Sequence, residues 1–400
     1  MDDTEGVSRR GVLAALGAGG IATLGGCVGS TGSDAIVAAA TEASSDAAPS
    51  GGTATARETE METETPASTM TEQPSPSLTG DGLSNVRGAV YLPYRVFNHY
   101  QMWDRYAPAE IERDLTFASN LGLNSLRVFA SYTVWQEDPA AFRDRFDHFL
   151  AAAADRGIAV LPMLFESIGT DPTPANVARN VPIRSPGGAV LRNRGRWAET
   201  AAFVRWFAER YGDHEGLLAI EVMNEPGELD HRVAFVREML RVAREAHPTV
   251  PLTVGCKSLE LNRQYADAID VLQFHHNLPP TADQMRQKLG EASDFAAEVG
   301  KPVWLTEWQR TRVGPPDKML PNYDSLADIV RDSDIDGDFF WQLMLNPAYN
   351  LKVRSMGRIN GVFTEDGGVY SLEGARALAG SGDWEAPEIR PDWTGRVGSE

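Results

Sequence analysis

Two glutamates end hydrophobic runs in this sequence and could do chemistry together. Glu225 stands in "AIEVMNEPGE", residues 219–228, where an apolar run stops on an Asn-Glu-Pro triplet. Glu307 stands in "KPVWLTEWQR", residues 301–310, where a second apolar run also stops on a carboxylate. Two carboxylates that face each other across a cleft are the equipment for hydrolysis of a glycosidic bond. Whether these two carboxylates lie close together depends on the fold.

Short apolar runs alternate with longer amphipathic ones from Val86 onward. The runs predicted as strands are 86–92, 123–130, 158–165, 217–224, 251–256, 270–276, 302–307 and 337–343. Helices are predicted at 108–121, 139–156, 194–211, 230–247, 281–299 and 321–332, with a last one in "LEGARALAG".

Eight strand-then-helix units in about 300 residues indicate an α/β fold of the (β/α)8 TIM-barrel type. The alternative is an open doubly wound sheet, which normally carries a Gly-rich phosphate turn after its first strand. The segment "AVYLPYRVFN" has no such turn. In a barrel, active sites lie at the carboxyl ends of the strands. Glu225, just past the fourth strand, and Glu307, at the end of the seventh, are therefore expected to point into one mouth.

These motifs together resemble glycoside hydrolase family 5 of clan A, the cellulase and mannanase superfamily. The resemblance covers residues 86–380 and depends on Asn-Glu-Pro after strand four and Thr-Glu-Trp at strand seven. It also includes Arg127 in strand two, "DVLQFHH" as strand six and Trp341 in strand eight. Asn-Glu-Pro alone is a weak signal, whereas both motifs on the right strands of a counted barrel form a specific one.

The resemblance implies a retaining mechanism with two roles. Glu225 would be the acid/base, with a raised pKa, and Glu307 the ionised nucleophile, about 5–5.5 Å away. Arg127 would keep the nucleophile ionised, and Asn224 would donate to the sugar 2-hydroxyl. Alternative readings are solvated loop carboxylates for the glutamates, a rim ion pair for Arg127 and a turn-former for Asn224.

Trp341 resembles the aromatic platform under the sugar, its alternative being a core tryptophan. His275 fits the family histidine of strand six, and His276 stands where the family commonly has a Tyr that contacts the nucleophile. Strand three departs too, because it ends on Phe165-Glu166 rather than on a histidine. Glu166 is either a sugar-binding carboxylate or a surface loop residue.

No metal or other cofactor is expected. His275 and His276 are neighbours in a strand, so their side chains point to opposite faces and are poorly placed to share an ion. The two cysteines, Cys27 and Cys256, exclude a disulfide scaffold and form no zinc cluster.

The charge of the chain is strongly acidic, with a formal net charge of -19 and a pI near 4.8. Nucleic acid is therefore excluded as a partner, because its phosphates and the acidic chain carry the same sign of charge and repel each other. Of 37 basic residues only five are Lys. This composition resembles proteins of salt-loving archaea; a GC-rich genome is the alternative reading.

The first eighty residues are predicted to be an export signal followed by a linker. Arg9 and Arg10 precede a short apolar stretch that ends in "LGGC" at Cys27, which resembles a twin-arginine signal (1–27) with a lipoprotein box. Residues 28–80, rich in Thr, Ser, Glu and Pro, are predicted to be a disordered linker. The barrel is expected at 82–380, and the tail 381–400 has no interpretation from sequence.

These features together predict a monomeric, exported β-glycoside hydrolase of the endo-β-glucanase or β-mannanase type. It would act on a polysaccharide or oligosaccharide and be held at the outer face of the cell membrane by a lipid on Cys27. The alternatives are a catalytically inactive carbohydrate-binding lipoprotein on the same barrel, and a transglycosylase.

Overall fold

The computed structural model describes residues 83–309, 322–353 and 359–394. The predicted export signal, Cys27 and the linker 28–80 lie outside the described residues, as does most of the loop 309–322. Within the described part of the chain, no helix is both long and apolar enough to cross a membrane.

Eight parallel strands form one sheet in the order β5-β4-β3-β2-β1-β8-β7-β6. A bridge between Thr253 and Val271 joins the two outer strands, β5 and β6, and closes the barrel. The strands are β1 (Val86–Tyr91), β2 (Ser125–Phe129), β3 (Ala159–Glu166), β4 (Ile220–Asn224), β5 (Leu252–Gly255), β6 (Leu272–His275), β7 (Val303–Gln309) and β8 (Gly337–Trp341). The predicted (β/α)8 barrel is confirmed, and the doubly wound alternative is excluded.

Helices cover the outside of the sheet. They are α1 (His99–Asp104), α2 (Pro108–Asn120), α3 (Tyr132–Glu137), α4 (Pro139–Ala154), α5 (Pro174–Val177), α6 (Gly188–Leu191), α7 (Trp197–Tyr211), α8 (Asp230–Ala246), α9 (Ala282–Val299), α10 (Tyr323–Arg331), α11 (Pro347–Val353) and α12 (Leu372–Ala379). Short 3-10 helices occur at 194–196, 260–264 and 392–394.

The helix termini follow the local signals in the sequence. Asp138 accepts a hydrogen bond from the Ala141 amide at 3.0 Å and Pro139 takes the first position of α4. Gly300 ends α9 with a φ of 74°, in the left-handed region that favours glycine. The predicted helix 194–211 begins later, at Trp197, because its first turn is a 3-10 helix. After β5 the chain forms a 3-10 helix rather than an α-helix.

The end of the described chain packs on the barrel. Trp384 donates to the Asn120 carbonyl at 2.8 Å, and its ring lies 6.0 Å from that of Phe363. The 381–394 part of the predicted tail is therefore attached to the C-terminal end of α2.

Candidate active site

Arg127 of β2 is the centre of a buried network under the mouth of the barrel. Its guanidinium is fully buried and donates to both oxygens of Glu221, at 2.7 and 2.6 Å. It also donates to Glu307 Oε1 at 3.0 Å and to Asn224 Oδ1 at 2.7 Å. Burial alone would lower the pKa of Arg127, but Glu221 and Glu307 raise it above its usual value. The rim ion-pair reading is wrong, because one cation ties together β2, β4 and β7.

Gly255 at the end of β5 leaves the room that this network needs. A Cβ at this position would lie 2.2 Å from Glu221 Oε1 and 3.0 Å from Arg127 Nη2. Any side chain would therefore displace the carboxylate that neutralises Arg127.

Glu225 and Glu307 meet, as the barrel predicts. One oxygen of each carboxylate and one ring nitrogen of His275 all lie within 4.8 Å of one another. This spacing fits the separation of about 5–5.5 Å found in retaining glycosidases and is shorter than the roughly 6.5–9.5 Å of inverting ones. The side chains are 16% and 8% exposed, respectively, so neither is a solvated loop carboxylate.

Glu307 contacts the Arg127 cation, an amide donor and a histidine ring. Arg127 contacts Oε1, while Asn277 Nδ2 donates to Oε2 at 3.0 Å and His275 Nδ1 lies 3.6 Å from the same oxygen. These contacts orient the carboxylate and leave it as an acceptor, which are the surroundings that an attacking carboxylate requires.

Glu225 is held by His275 and by its own backbone. His275 Nδ1 lies 2.7 Å from Glu225 Oε1. Burial is the largest single influence and raises the pKa of Glu225. The hydrogen bond and charge of His275, with the charges of Lys257 and Arg127, together outweigh burial, and the pKa lies below its ordinary value. This direction is opposite to the raised pKa expected from the sequence. The difference comes mainly from the contact with His275, which the sequence did not predict.

The backbone of Glu225 is strained. Its φ is 41°, a region that a residue with a side chain adopts at a cost of about 1–3 kcal/mol. The Glu225 amide donates to the Gly255 carbonyl at 2.8 Å, and the Ser167 hydroxyl donates to the Glu225 carbonyl. These two bonds hold the strained residue in place. Strain of this kind clusters at functional sites.

Asn224 is oriented from both ends, so the turn-former reading does not account for it. Because Arg127 only donates, its contact fixes Oδ1 on that side, and Nδ2 then donates to Glu166 Oε2 at 2.9 Å. Glu166 also accepts from the Ile168 amide at 2.6 Å and is 7% exposed, so it is not a surface loop residue. Burial raises the pKa of Glu166 to about 8.

Asn277 and Glu221 are site residues that the sequence reasoning missed. Asn277 makes the nucleophile contact that the family resemblance assigns to a tyrosine at the position of His276. His276 instead donates its backbone amide to the Glu307 carbonyl at 2.9 Å, and burial lowers the pKa of its ring. A polar residue directly after a strand end was the available signal for Asn277. For Glu221 it was a charge inside the apolar run "AIEVMN".

A cavity of about 220 Å³ opens above the glutamates. Trp341 lines it, with its ring 5.6 Å from that of Tyr349, and its buried indole Nε1 has no protein partner among the described residues. The core-tryptophan reading is therefore wrong, since the ring faces the cavity that holds both carboxylates. The other lining residues include Leu92, Phe97, Asn98, His99, Phe129, Glu166, Ile168, Pro182, Ile183 and Asn224.

The cluster of Glu225, His275 and Glu307 also has the spacing of a metal site. The predicted exclusion considered His275 with His276, and the structure instead places His275 with the two carboxylates. The guanidinium of Arg127, 3.0 Å from Glu307, is already a fixed cation on one side of this cluster and opposes a second one. The absence of a metal requirement stays a prediction.

Comparison with known proteins gives structural relatives only. No family model matches the chain, and no curated protein matches it. An exo-β-1,4-mannosidase from Opitutaceae bacterium strain TAV5 superposes with a TM-score of 0.59 and 19% identity over 74% of this chain. This chain spans 59% of that protein's length.

Two further structures share the barrel. A GH5_18 protein from Streptomyces cattleya, solved with GlcNAc, has a TM-score of 0.54 and 16% identity, covering 76% of this chain and 83% of its own. An endo-1,4-β-mannanase from Rhizomucor miehei has a TM-score of 0.53 and 15% identity, covering 72% and 93%. At these identities, the likeness shows a common barrel fold.

Proposed function

We propose that this protein is a retaining β-glycoside hydrolase of the family 5 type. The observation that carries the proposal is the pair Glu225 and Glu307, whose carboxylate oxygens lie within 4.8 Å at the ends of β4 and β7. The spacing supports a double displacement, in which the two carboxylates act on opposite sides of the glycosidic bond.

In the first step Glu307 attacks the anomeric carbon while Glu225 gives its proton to the leaving oxygen. A covalent glycosyl-enzyme results, and the glycosidic bond breaks with its electron pair going to the leaving oxygen. Arg127 and Asn277 hold the attacking carboxylate, and Asn224 offers its second Nδ2 hydrogen to the sugar 2-hydroxyl.

In the second step water replaces the leaving group. Glu225, now ionised, takes a proton from this water, whose oxygen attacks the anomeric carbon and releases Glu307. Two inversions return the original β-configuration. His275, 2.7 Å from Glu225, is placed to shift the proton affinity of this acid/base between the two steps.

We propose a β-linked oligosaccharide or polysaccharide as the substrate. The relatives with the same barrel are described as an exo-β-1,4-mannosidase and an endo-1,4-β-mannanase, which makes β-mannosides the first substrates to test. β-Glucosides are the second choice, because the resemblance in sequence covers cellulases as well as mannanases.

The experiment that tests this function compares Glu225→Gly and Glu307→Gly with the wild type on aryl β-glycosides that have a good leaving group. Glu225→Gly should accumulate the glycosyl-enzyme, and azide, which needs no base, should release a β-glycosyl azide. Glu307→Gly with azide should give the α-azide. Wild-type turnover in both variants would remove these two residues from the mechanism, and a wild-type rate that is lost in EDTA would favour a metal.

The same material separates the other two candidate functions. A wild type that binds glycans but turns over no substrate would be the carbohydrate-binding protein. A wild type that forms longer oligosaccharides faster than free sugar would be the transglycosylase, which uses the same residues.

We also propose that the enzyme works outside the cell, tethered through a lipid on Cys27. The support is the twin arginine followed by Leu-Gly-Gly-Cys and a polar linker. Cys27→Ser should leave export intact and release the protein into the medium. A variant that stays with the membrane fraction would exclude the lipid anchor.

A further inference from the structure

We infer that the enzyme is exo-acting: it removes single sugars from the non-reducing end of a β-linked chain. This inference rests on the proposed function and names the class of substrate that the site accepts. It depends on a continuous wall around one half of the barrel mouth. We call this the rim wall and define it as residues 93–99, 177–185 and 346–350.

The first join of the rim wall connects the segments that follow β1 and β3. His99 Nε2 contacts the Ile183 carbonyl at 2.9 Å, and Asn98 Nδ2 donates to the Arg179 and Val181 carbonyls, both at 3.2 Å. Gln101 in α1 adds bonds to the Val177 and Arg179 carbonyls at 3.2 and 3.1 Å. All three side chains are 3% exposed, so these bonds are shielded from water.

The second join connects the segments that follow β8 and β1. Asn346 is fully buried, and its Nδ2 donates to the Pro93 carbonyl at 3.0 Å and to the Val96 carbonyl. The wall therefore runs without interruption from β8 through β1 to β3.

The segment after β3 is itself a folded hairpin. Glu166 and Ser185 exchange backbone hydrogen bonds of 2.7 and 2.8 Å, and Arg184 donates to the Ser167 and Gly169 carbonyls at 3.1 and 2.9 Å. Gly169 has a φ of 112°, and a Cβ there would lie 2.4 Å from the Pro182 carbonyl oxygen. These contacts make the segment a fixed part of the pocket.

The catalytic pair and the rim wall line the same cavity. In the strand order, β5 and β6 separate β4 from β7 on one side, and β3, β2, β1 and β8 separate them on the other. The rim wall covers the second arc, where Trp341 also lies. A sugar stacked on Trp341 with its anomeric carbon between Glu225 and Glu307 must therefore point its non-reducing end at the wall.

The cavity that the wall shares with the two glutamates is small. The cavity measures about 220 Å³, which is below the roughly 300–1,000 Å³ of pockets for drug-sized ligands. A polysaccharide that continued beyond the first sugar would have to pass through the buried bonds of Asn98 and His99. A glycosidic bond in the interior of a polysaccharide therefore cannot reach the two glutamates.

The test uses the wild-type barrel on three substrates that share one glycone. The glycone is first identified on a panel of aryl β-monoglycosides. The same sugar is then offered as a β-oligosaccharide with a free non-reducing end, and as one whose terminal sugar carries a 4,6-O-benzylidene block. We expect hydrolysis of the aryl glycoside, the monosaccharide as the first product of the free oligosaccharide, and at least a hundredfold slower cleavage of the blocked one.

Two outcomes overturn different statements. Cleavage of the blocked oligosaccharide at an equal rate, or release of di- and trisaccharides first, would overturn exo action while leaving the glycosidase in place. No hydrolysis of any aryl glycoside in the panel would overturn the proposed function itself.

A variant of the wall provides a second measurement. Gln101→Ala removes two of the bonds between α1 and the β3 segment without changing a residue that lines the cavity. We expect the fraction of products longer than one sugar to rise at least several-fold. Gln287→Ala on α9, which loses only a surface bond to Glu291, is the matched control and should leave the product distribution unchanged. An unchanged distribution in a folded Gln101→Ala protein would show that the wall does not set the product length.

Discussion

Glu166 accepts a hydrogen bond from Asn224 at 2.9 Å where β3 and β4 end side by side. The bond fixes one of the two Nδ2 hydrogens of Asn224, while Arg127 fixes its oxygen. The other hydrogen is left for substrate. Glu166 thus orients Asn224, and it also lines the cavity.

The first prediction concerns the 2-hydroxyl of the substrate. In Glu166→Gln, one acceptor oxygen is replaced by an amide that faces a donor, so Asn224 keeps its contact with Arg127 but its Nδ2 is held less firmly. We expect kcat/KM on an aryl β-glycoside to fall about tenfold or more, because a lost buried hydrogen bond costs about 1–3 kcal/mol. The 2-deoxy analogue should be affected much less. Equal losses on both substrates would mean that Glu166 only supports the fold.

The second prediction concerns the pH profile. Glu225 must carry a proton to act as an acid, so the alkaline limb of kcat/KM reports its pKa in the free enzyme. The hydrogen bond and charge of His275 lower that pKa, in opposition to burial, which raises it. His275→Ala should therefore move the alkaline limb to higher pH. His231→Ala on α8 is the control, and a limb that stays in place in His275→Ala would contradict the assignment.

The third prediction concerns Arg127. Replacing it with Met leaves Glu221 buried without its cation, and a broken buried pair costs about 3–5 kcal/mol. Urea unfolding of Arg127→Met should show this loss together with a loss of activity. Arg196→Ala, which breaks an exposed pair with Glu199, should leave stability almost unchanged. Similar small effects in both variants would contradict the network.

The fourth prediction concerns stability against pH. The Glu166 pKa is about 8 in the folded protein and 4.5 ordinarily. Between these values the folded protein holds a proton that the unfolded chain has lost, so the free energy of unfolding falls as the pH rises from about 4.5 to 8. Asp114 and Asp338, raised to about 7 and 6, act in the same direction. Denaturant unfolding from pH 5 to 9 should show the fall, and the Glu166→Gln variant a shallower one.

The fifth prediction concerns salt. A net charge of -19 repels itself most at low ionic strength, where the screening length is long. We expect the melting temperature to climb with molar salt. A flat or falling curve would remove the halophile interpretation.

The barrel and the proximity of Glu225 to Glu307 could be predicted from the sequence because they follow from periodicity and strand ends. Glu225 and Glu307 each end an apolar run, and eight such runs allow one closed sheet. A carboxylate partner for Arg127 could be predicted for another reason, because a buried cation in a strand requires one.

The other contacts of the site could not be predicted, because they depend on which side chains meet across strands. Arg127 donates to both Glu221 and Glu307, and nothing in the sequence predicts that it contacts the two carboxylates together. Asn277 replaces an expected tyrosine contact from one position further along. The direction of the Glu225 pKa depends on a 2.7 Å contact with His275, which no spacing in the chain encodes.

The closed side of the mouth has a consequence for the order of events. If the rim wall closes this side, as the described residues indicate, the leaving group would have to depart before water could reach the anomeric carbon, and the released sugar would leave last. Water and a second sugar therefore compete for one vacated position beside Glu225. At high sugar concentration the acceptor sugar should react with the glycosyl-enzyme more often than water does. The ratio of transfer to hydrolysis should therefore rise with the concentration of acceptor.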